Sequence, residues 1–327
     1  LAAMAPEHLA QLAARALAAA RGVEGQPAGA VHLNLPFEEP LHSTPAQWQE
    51  LRTLVLAPHS SGPETVSSAL GGMGAAPTPP RLDPDQPGVV VAGPWRGTPQ
   101  QWPQHVAALR RWLQRSGWPL LADGLSGLRG QDGLKPLTGY DLLLEQQPPD
   151  LTAPQVLRLG PLPASRRLQR WLAALGGEQL LISEADPRRL DPLGCSQAQW
   201  PLGLASWVES LPPSLWQGQA SNAALALQQR WHQRDGLLQR WLDRELPPQT
   251  PLSEPAIARA LSRLLPAGVP LMLANSSPVR DWETFAAGDG PARPMVGFRG
   301  ASGIDGTLSS ACGVADALGQ AVLVSGD

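Results

Sequence analysis

The sequence predicts an α/β protein built of doubly wound parallel-sheet domains, and three observations predict it. Short apolar runs such as Val89-Val90-Val91-Ala92 show no in–out alternation, the pattern of parallel strands covered on both faces. Segments with apolar residues at helical spacing separate these runs, so strand and helix alternate along the chain. Hydrophobic residues make up 43% of the 327 positions and charged residues 16%, which supplies a sizeable core and excludes disorder for the bulk.

The first residues, to about Gly22, read as an amphipathic helix with Leu9, Leu12, Ala13 and Leu17 on one face. Glu7, His8, Arg15 and Arg21 break any signal-peptide core there. From Ala30 the chain alternates as a short strand, stopped by Pro36. Residues 58–87, rich in Ser, Gly and Pro, have no apolar period and read as linker. Strands follow at Val89–Ala92, Trp118–Asp123, Gln155–Gly160 and Leu180–Ser183. The helix Pro103–Ser116 turns Val106, Leu109, Trp112 and Leu113 to one side and is capped by Gly117. Tyr140–Leu144 and Ser165–Leu175 are the next helices, and Trp207–Leu246 is largely helical up to a proline-rich break at Pro247–Pro251. Ser253 N-caps a helix that stops at Pro266. Strands Val269–Leu273, Met295–Gly297 and Ala321–Val324 and a helix Thr307–Leu318 then begin another α/β unit. The 12 tryptophans fall mostly on apolar helix faces, Trp112, Trp171, Trp231 and Trp241 among them, and are expected to pack in cores.

Composition excludes several functions. The net charge of −3 leaves no basic excess for nucleic acid or an anionic membrane surface. No apolar run reaches the roughly 18 residues of a membrane span, so no stable membrane insertion is expected. The two cysteines, Cys195 and Cys312, stand far apart, which argues for a reducing, cytoplasmic setting without disulfides or a thiolate zinc site. The six histidines form no HExxH pair, and there is no G-x-S-x-G elbow, P-loop or G-x-G-x-x-G fingerprint. A nicotinamide or flavin is therefore not expected.

Four loops could carry chemistry. Gly160-Pro-Leu-Pro-Ala-Ser-Arg166-Arg167 leaves a strand and enters a helix N-capped by Ser165, whose first turn holds two arginines. Cations there oppose the helix dipole unless an anion binds; the alternative is a pair of solvated surface arginines. Asn275-Ser276-Ser-Pro-Val-Arg280-Asp281 follows a strand, where α/β sheets bind ligands, or is a plain turn before Pro278. Arg299-Gly-Ala-Ser-Gly-Ile304-Asp-Gly306 is a glycine-rich loop opening a helix. Asp327 stands just past the apolar run Ala321–Val324 and has the chemistry of a hard-cation ligand, or is a loop aspartate.

Taken together these strings resemble a known family. NSSPVRDWETF (275–285) followed by FRGASGIDGTLSSACGVA (298–315) closely resembles the 2-succinyl-5-enolpyruvyl-6-hydroxy-3-cyclohexene-1-carboxylate synthase family of the thiamine-diphosphate-dependent enzymes. VHLNLPFEEPL (31–41), GVVVAGPW (88–95), GWPLLADGLSGLRG (117–130) and GPLPASRRLQRWL (160–172) are similar to its other segments, in the same order. The resemblance implies the thiamine-diphosphate-enzyme architecture: a pyrimidine-binding tail at 1–45, a linker at 46–84, a central domain at 85–246 and the start of a diphosphate-binding domain at 247–327. Both ends are expected to be cut ends, leaving the first and third domains incomplete. It implies decarboxylation of 2-oxoglutarate and addition of the succinyl carbanion to isochorismate, in menaquinone or phylloquinone biosynthesis, by a homodimer or homotetramer. Thiamine diphosphate and Mg²⁺ (or Mn²⁺) are the implied cofactors. Carried over by position, Arg166, Arg167, Ser276, Arg280 and Arg299 bind substrate, Ile304 supports the cofactor, and Asp327 ligates the metal. Arg166 replaces a lysine of the family and keeps its charge. The activating glutamate is expected upstream and the second metal ligand, an asparagine, downstream. The rival readings are a carboligase of the acetolactate-synthase type, against which RGASGIDG tells, and a non-catalytic anion-binding module of the same fold.

Overall fold

The computed structural model describes residues 6–22, 29, 31, 33, 44–49, 81–186, 190–248, 252–298 and 304–326. The chain divides into two compact units, Leu1–Thr78 and Pro79–Asp327. In the first, α1 spans Pro6–Arg21, as its alanine-rich periodicity predicts. Leu12 is half-buried, but Leu17 is 51% exposed, so the expected apolar face is covered only in part. Of the strand expected from Ala30, only Val31 and Leu33 are described, and neither is in a strand.

The second unit holds two parallel sheets. The larger contains β1 (Val89–Ala92), β2 (Leu120–Ala122), β3 (Pro136–Leu137), β4 (Gln155–Leu159), β5 (Glu178–Ile182) and β6 (Ala198–Trp200). Their order is β3-β2-β1-β4-β5-β6, so the direction of succession reverses between β1 and β4. Its helices are α2 (Trp102–Ser116), α3 (Tyr140–Leu143), α4 (Arg166–Ala174), α5 (Gly203–Ser210) and α6 (Asn222–Glu245). Val90, Ala92, Leu157 and Leu159 pack with Trp112 of α2 and Trp207 of α5 in one core. Val89, Val91 and Val156 pack with Tyr140, Trp171 and Trp231 in another. Alternate residues of each strand thus enter different cores, which is why the sequence shows unbroken apolar runs.

The β2 and β4 runs and the α2 face match the expectation, with Gly117 in the left-handed region at φ 66° and its N–H donating to the Leu113 carbonyl. The strands β3 and β6 were not anticipated; two- and three-residue strands at the sheet edges carry too little pattern to read. Trp112, Trp171 and Trp231 are buried as expected, but Trp241 is 48% exposed. Its neighbour Leu242 is the buried residue of that turn. A step of about 100° around the helix turns one outward when the other packs inward.

The smaller sheet contains β7 (Leu271–Leu273), β8 (Met295–Gly297) and β9 (Val322–Val324) in the order β8-β7-β9. It is joined by α7 (Glu254–Leu264), α8 (Ser277–Phe285) and α9 (Thr307–Leu318). Ser253 caps α7 by accepting the Ala256 N–H, as predicted. The helix α8 replaces what was read as a polar loop. Pro278 sits in its first turn, where a missing N–H has no helical acceptor to lose. Leu271, Leu273, Val279, Trp282 and Ala286 form the third core, and Leu125, from the loop after β2, inserts into it. Among the described residues, no helix is long and apolar enough to cross a membrane.

Candidate functional site

The carboxyl ends of β2, β4 and β7 carry most of the residues singled out in the sequence. Asp123 follows β2. Its Oδ1 accepts the Leu125 N–H at 2.7 Å and its Oδ2 the Ala164 N–H at 2.8 Å, tying the loop after β2 to the loop after β4. That second loop turns at Gly160, with φ 70°, and ends at Ser165. Ser165 Oγ caps α4 by accepting the Leu168 N–H at 3.0 Å and donates to Asp141 Oδ1 at 2.5 Å.

The two arginines at the start of α4 differ. Arg166 is exposed and makes no hydrogen bond or ion pair among the described residues. Arg167 is held on two sides: Nη1 donates to Asp141 Oδ2 at 2.6 Å and Nε to Glu145. From β7 the chain passes through Ser276 into α8. Ser276 sits at φ 73°, ψ −131°, a conformation that favours glycine and that a serine holds only against strain. Arg280 Nη2 lies 3.5 Å from Ser276 Oγ, and both side chains are exposed. Thr284 stands one helical turn beyond Arg280 on the same face and donates to Asp141 Oδ2 at 3.2 Å. Asp141 thus receives hydrogen bonds from the start of α4 and from α8, which carry Arg167 and Arg280.

Beneath this surface lies a buried polar junction. Glu283 is 2% exposed. Its Oε2 accepts the Gly124 N–H at 2.6 Å and an Arg129 Nη2 hydrogen at 3.0 Å, and its Oε1 accepts the Tyr140 hydroxyl. Arg129 also donates to the carbonyls of Ala122, Trp282 and Glu283. Burial pushes the Glu283 carboxyl up to about 8, with the Asp123 charge adding to it and Arg129, Tyr140 and Gly124 opposing it. Burial and the Glu283 charge together raise the Tyr140 hydroxyl well above its usual range.

The junction predicts a pH dependence. An unfolded glutamate titrates near 4.5, so between that value and about 8 the folded chain holds a proton that the unfolded chain has released. Its contribution is full below the unfolded value and is lost as pH rises through the folded one. Melting curves across that window for wild type and Glu283→Gln are expected to show a wild-type decline that the variant lacks. A stability difference that does not change with pH would contradict the raised value.

Where the strand order reverses, the ends of β1 and β4 border an open cavity lined by Gly93, Trp95, His105, Gly160, Ser183 and Glu184. The Gly93 N–H donates to the Leu159 carbonyl at 2.8 Å, and a Cβ on Gly93 would fall on the Pro161 carbonyl. Trp95 meets Trp102 edge-to-face and His105 stacks on Trp102, with His105 Nδ1 2.8 Å from Glu184 Oε1. Of the remaining sequence candidates, Ile304 is 72% exposed beside the start of α9, while Arg299 and Asp327 lie outside the described residues. Among the described residues no three His, Cys, Asp or Glu side chains are grouped to hold a metal ion.

Glu283, Tyr140, Asp141 and Arg129 were not singled out in the sequence. A signal existed for Glu283: it lies four residues after Val279 and next to Trp282, both buried, which sets an acid on the inward face of α8.

Residues 84–273 match the family model described as the middle domain of thiamine pyrophosphate. The chain belongs to this thiamine pyrophosphate enzyme family. Among its curated relatives are proteins named 2-succinyl-5-enolpyruvyl-6-hydroxy-3-cyclohexene-1-carboxylate synthase. That of Synechococcus sp. (strain RCC307) is 50% identical over 98% of this chain and 53% of its own length. That of Synechococcus sp. (strain CC9902) is 48% identical over 99% and 56%, and that of Prochlorococcus marinus (strain MIT 9313) 46% over 92% and 53%. The resemblance read in the sequence is borne out. The chain spans about half the length of the curated relatives it matches.

Proposed function

We propose that the protein is a thiamine-diphosphate-dependent carboligase that decarboxylates 2-oxoglutarate and adds the four-carbon unit to isochorismate, for menaquinone or phylloquinone synthesis. The observation that carries this reading is the anchoring on Asp141 of Arg167 directly and, through Thr284, of α8, the helix that carries Arg280, at the carboxyl ends of two sheets. Both substrates are carboxylates, and arginine's planar fork suits their bidentate capture. Arg166 and Ser276 flank these groups, and Arg299 follows β8 by two residues in sequence.

Thiamine diphosphate would supply the electron sink for decarboxylation and carbon–carbon bond formation. The exposed Ile304 fits an apolar support for it, and Asp327, three residues after β9, has the donor chemistry for Mg²⁺ or Mn²⁺ beside a diphosphate. Among the described residues no three metal-ligating side chains are grouped, and in this reading the asparagine expected downstream is the second ligand. The other steps are positioning: arginines orient the carboxylates, and the Ser276 hydroxyl can donate to a substrate oxygen. In this reading 1–45 belongs to a pyrimidine-binding domain, 85–246 is the central domain and 247–327 opens the diphosphate-binding domain. The enzyme works in the cytoplasm as a homodimer or homotetramer.

The test is product formation and CO₂ release by the full-length protein from isochorismate and 2-oxoglutarate, with thiamine diphosphate and Mg²⁺. Turnover of these two substrates is expected; a folded, cofactor-loaded protein that gives none overturns the reading. Acetolactate formation from pyruvate instead would place the protein with the acetolactate-synthase type.

A further inference from the structure

We propose that Asp141 is a positioning residue of this site: it aims the Arg167 guanidinium and latches the start of α4 to α8, so that Arg167 and Arg280 meet one substrate. The inference rests on the function proposed above.

Asp141 is 4% exposed, and every hydrogen bond to its carboxylate comes from an element that carries a site residue. Oδ1 accepts from Ser165, the cap of α4. Oδ2 accepts from Arg167 and from Thr284. Thr284 lies one turn from Arg280 on the same helical face. The carboxylate therefore fixes Arg167 directly and, through Thr284, the helix that carries Arg280.

The way Arg167 is held says what it is held for. A guanidinium has five N–H donors in one plane. Asp141 and Glu145 take Nη1 and Nε, which fixes that plane and leaves Nη2 without a partner among the described residues. The side chain is 33% exposed, so a ligand can reach it. An arginine held this way gives up less rotamer freedom when a carboxylate docks on its free donors. Glu145 is an exposed partner on the far side, with its side chain 56% exposed, whereas Asp141 is buried and tied to both helices. That makes Asp141 the group that sets the orientation.

The experiment uses the full-length, cofactor-loaded enzyme and the variants Asp141→Asn, Arg167→Lys and the pair together. Asp141→Asn keeps the shape and an acceptor for Ser165 but removes the charge that holds Arg167. KM for one of the two carboxylate substrates is expected to rise about tenfold, with kcat changed by less than about threefold. In the double variant Asp141→Asn should add little to the effect of Arg167→Lys, because it acts through that arginine. Thr284→Val, which loses only the latch, should raise the same KM by a smaller factor. A purely structural role would lower the melting temperature and the active fraction while leaving KM unchanged and the two substitutions additive. That outcome overturns the inference but not the proposed function. A wild type that neither turns over the substrates nor binds 2-oxoglutarate in calorimetry overturns both.

Discussion

Glu283→Ala is expected to remove about 3–5 kcal/mol of folding stability and to lower the melting temperature of the unit Pro79–Asp327 by on the order of 10 °C. The loss has three sources. The Tyr140 hydroxyl and the Gly124 N–H, both in the interior, lose their acceptor, and each orphaned buried group costs about 1–3 kcal/mol. Arg129, with its side chain 10% exposed, loses its side-chain acceptor and keeps only backbone carbonyls. A cavity opens beside Trp282, whose ring already sits where a Cβ on Gly124 would be. Glu283→Gln retains the volume and can accept one hydrogen bond while donating another, so it should cost about 1 kcal/mol at pH 7. Chemical denaturation of the two variants beside wild type decides the matter. Equal, small losses would mean that the junction is not a stability determinant.

The same junction shows what the sequence does and does not disclose. The central sheet was legible because each strand is buried on both faces and each main helix has a wide apolar stripe; Val89–Ala92 and Trp102–Ser116 could hardly be read otherwise. The cap Ser165 was legible because capping is local. What could not be read depends on long-range pairing. The place of Glu283 after Val279 and beside Trp282 hints at burial, but its partners Gly124 and Tyr140 are far away in sequence and leave no local mark. The edge strand β3 exists only because β2 offers it a ladder, since Pro136-Leu137 has no strand pattern of its own. Of the proposed site, Arg166, Arg167, Ser276 and Arg280 were named from sequence, but the acids that occupy Arg167 were not. Asp141 looks like any acid in the first turn of a short helix until Ser165, Arg167 and Thr284 are seen to converge on it.

Arg280→Ala is expected to lower kcat/KM for the proposed carboxylate substrates ten- to a hundredfold while leaving the fold intact. The side chain is exposed and its one polar contact is with Ser276 at 3.5 Å, so the folded protein gives it almost nothing to hold. The anchors of α8 are elsewhere: Val279 and Trp282 in the third core, Glu283 in the buried junction and Thr284 on Asp141. Removing Arg280 should therefore shift stability by less than about 0.5 kcal/mol, as for other surface positions. A bidentate contact to a carboxylate is a different matter, worth about 1.5–3 kcal/mol because both partners are charged. That energy sets the expected loss in kcat/KM. Arg280→Lys should fall between, since lysine keeps the charge but not the planar fork. Thiamine diphosphate affinity, measured alongside, is expected to change little, because in the proposed reading the diphosphate is held through Asp327 and a metal ion and not through Arg280. Wild-type kcat/KM in the alanine variant would remove Arg280 from the site. A large loss of stability would instead assign it to the scaffold, against the exposure and the single long contact seen here.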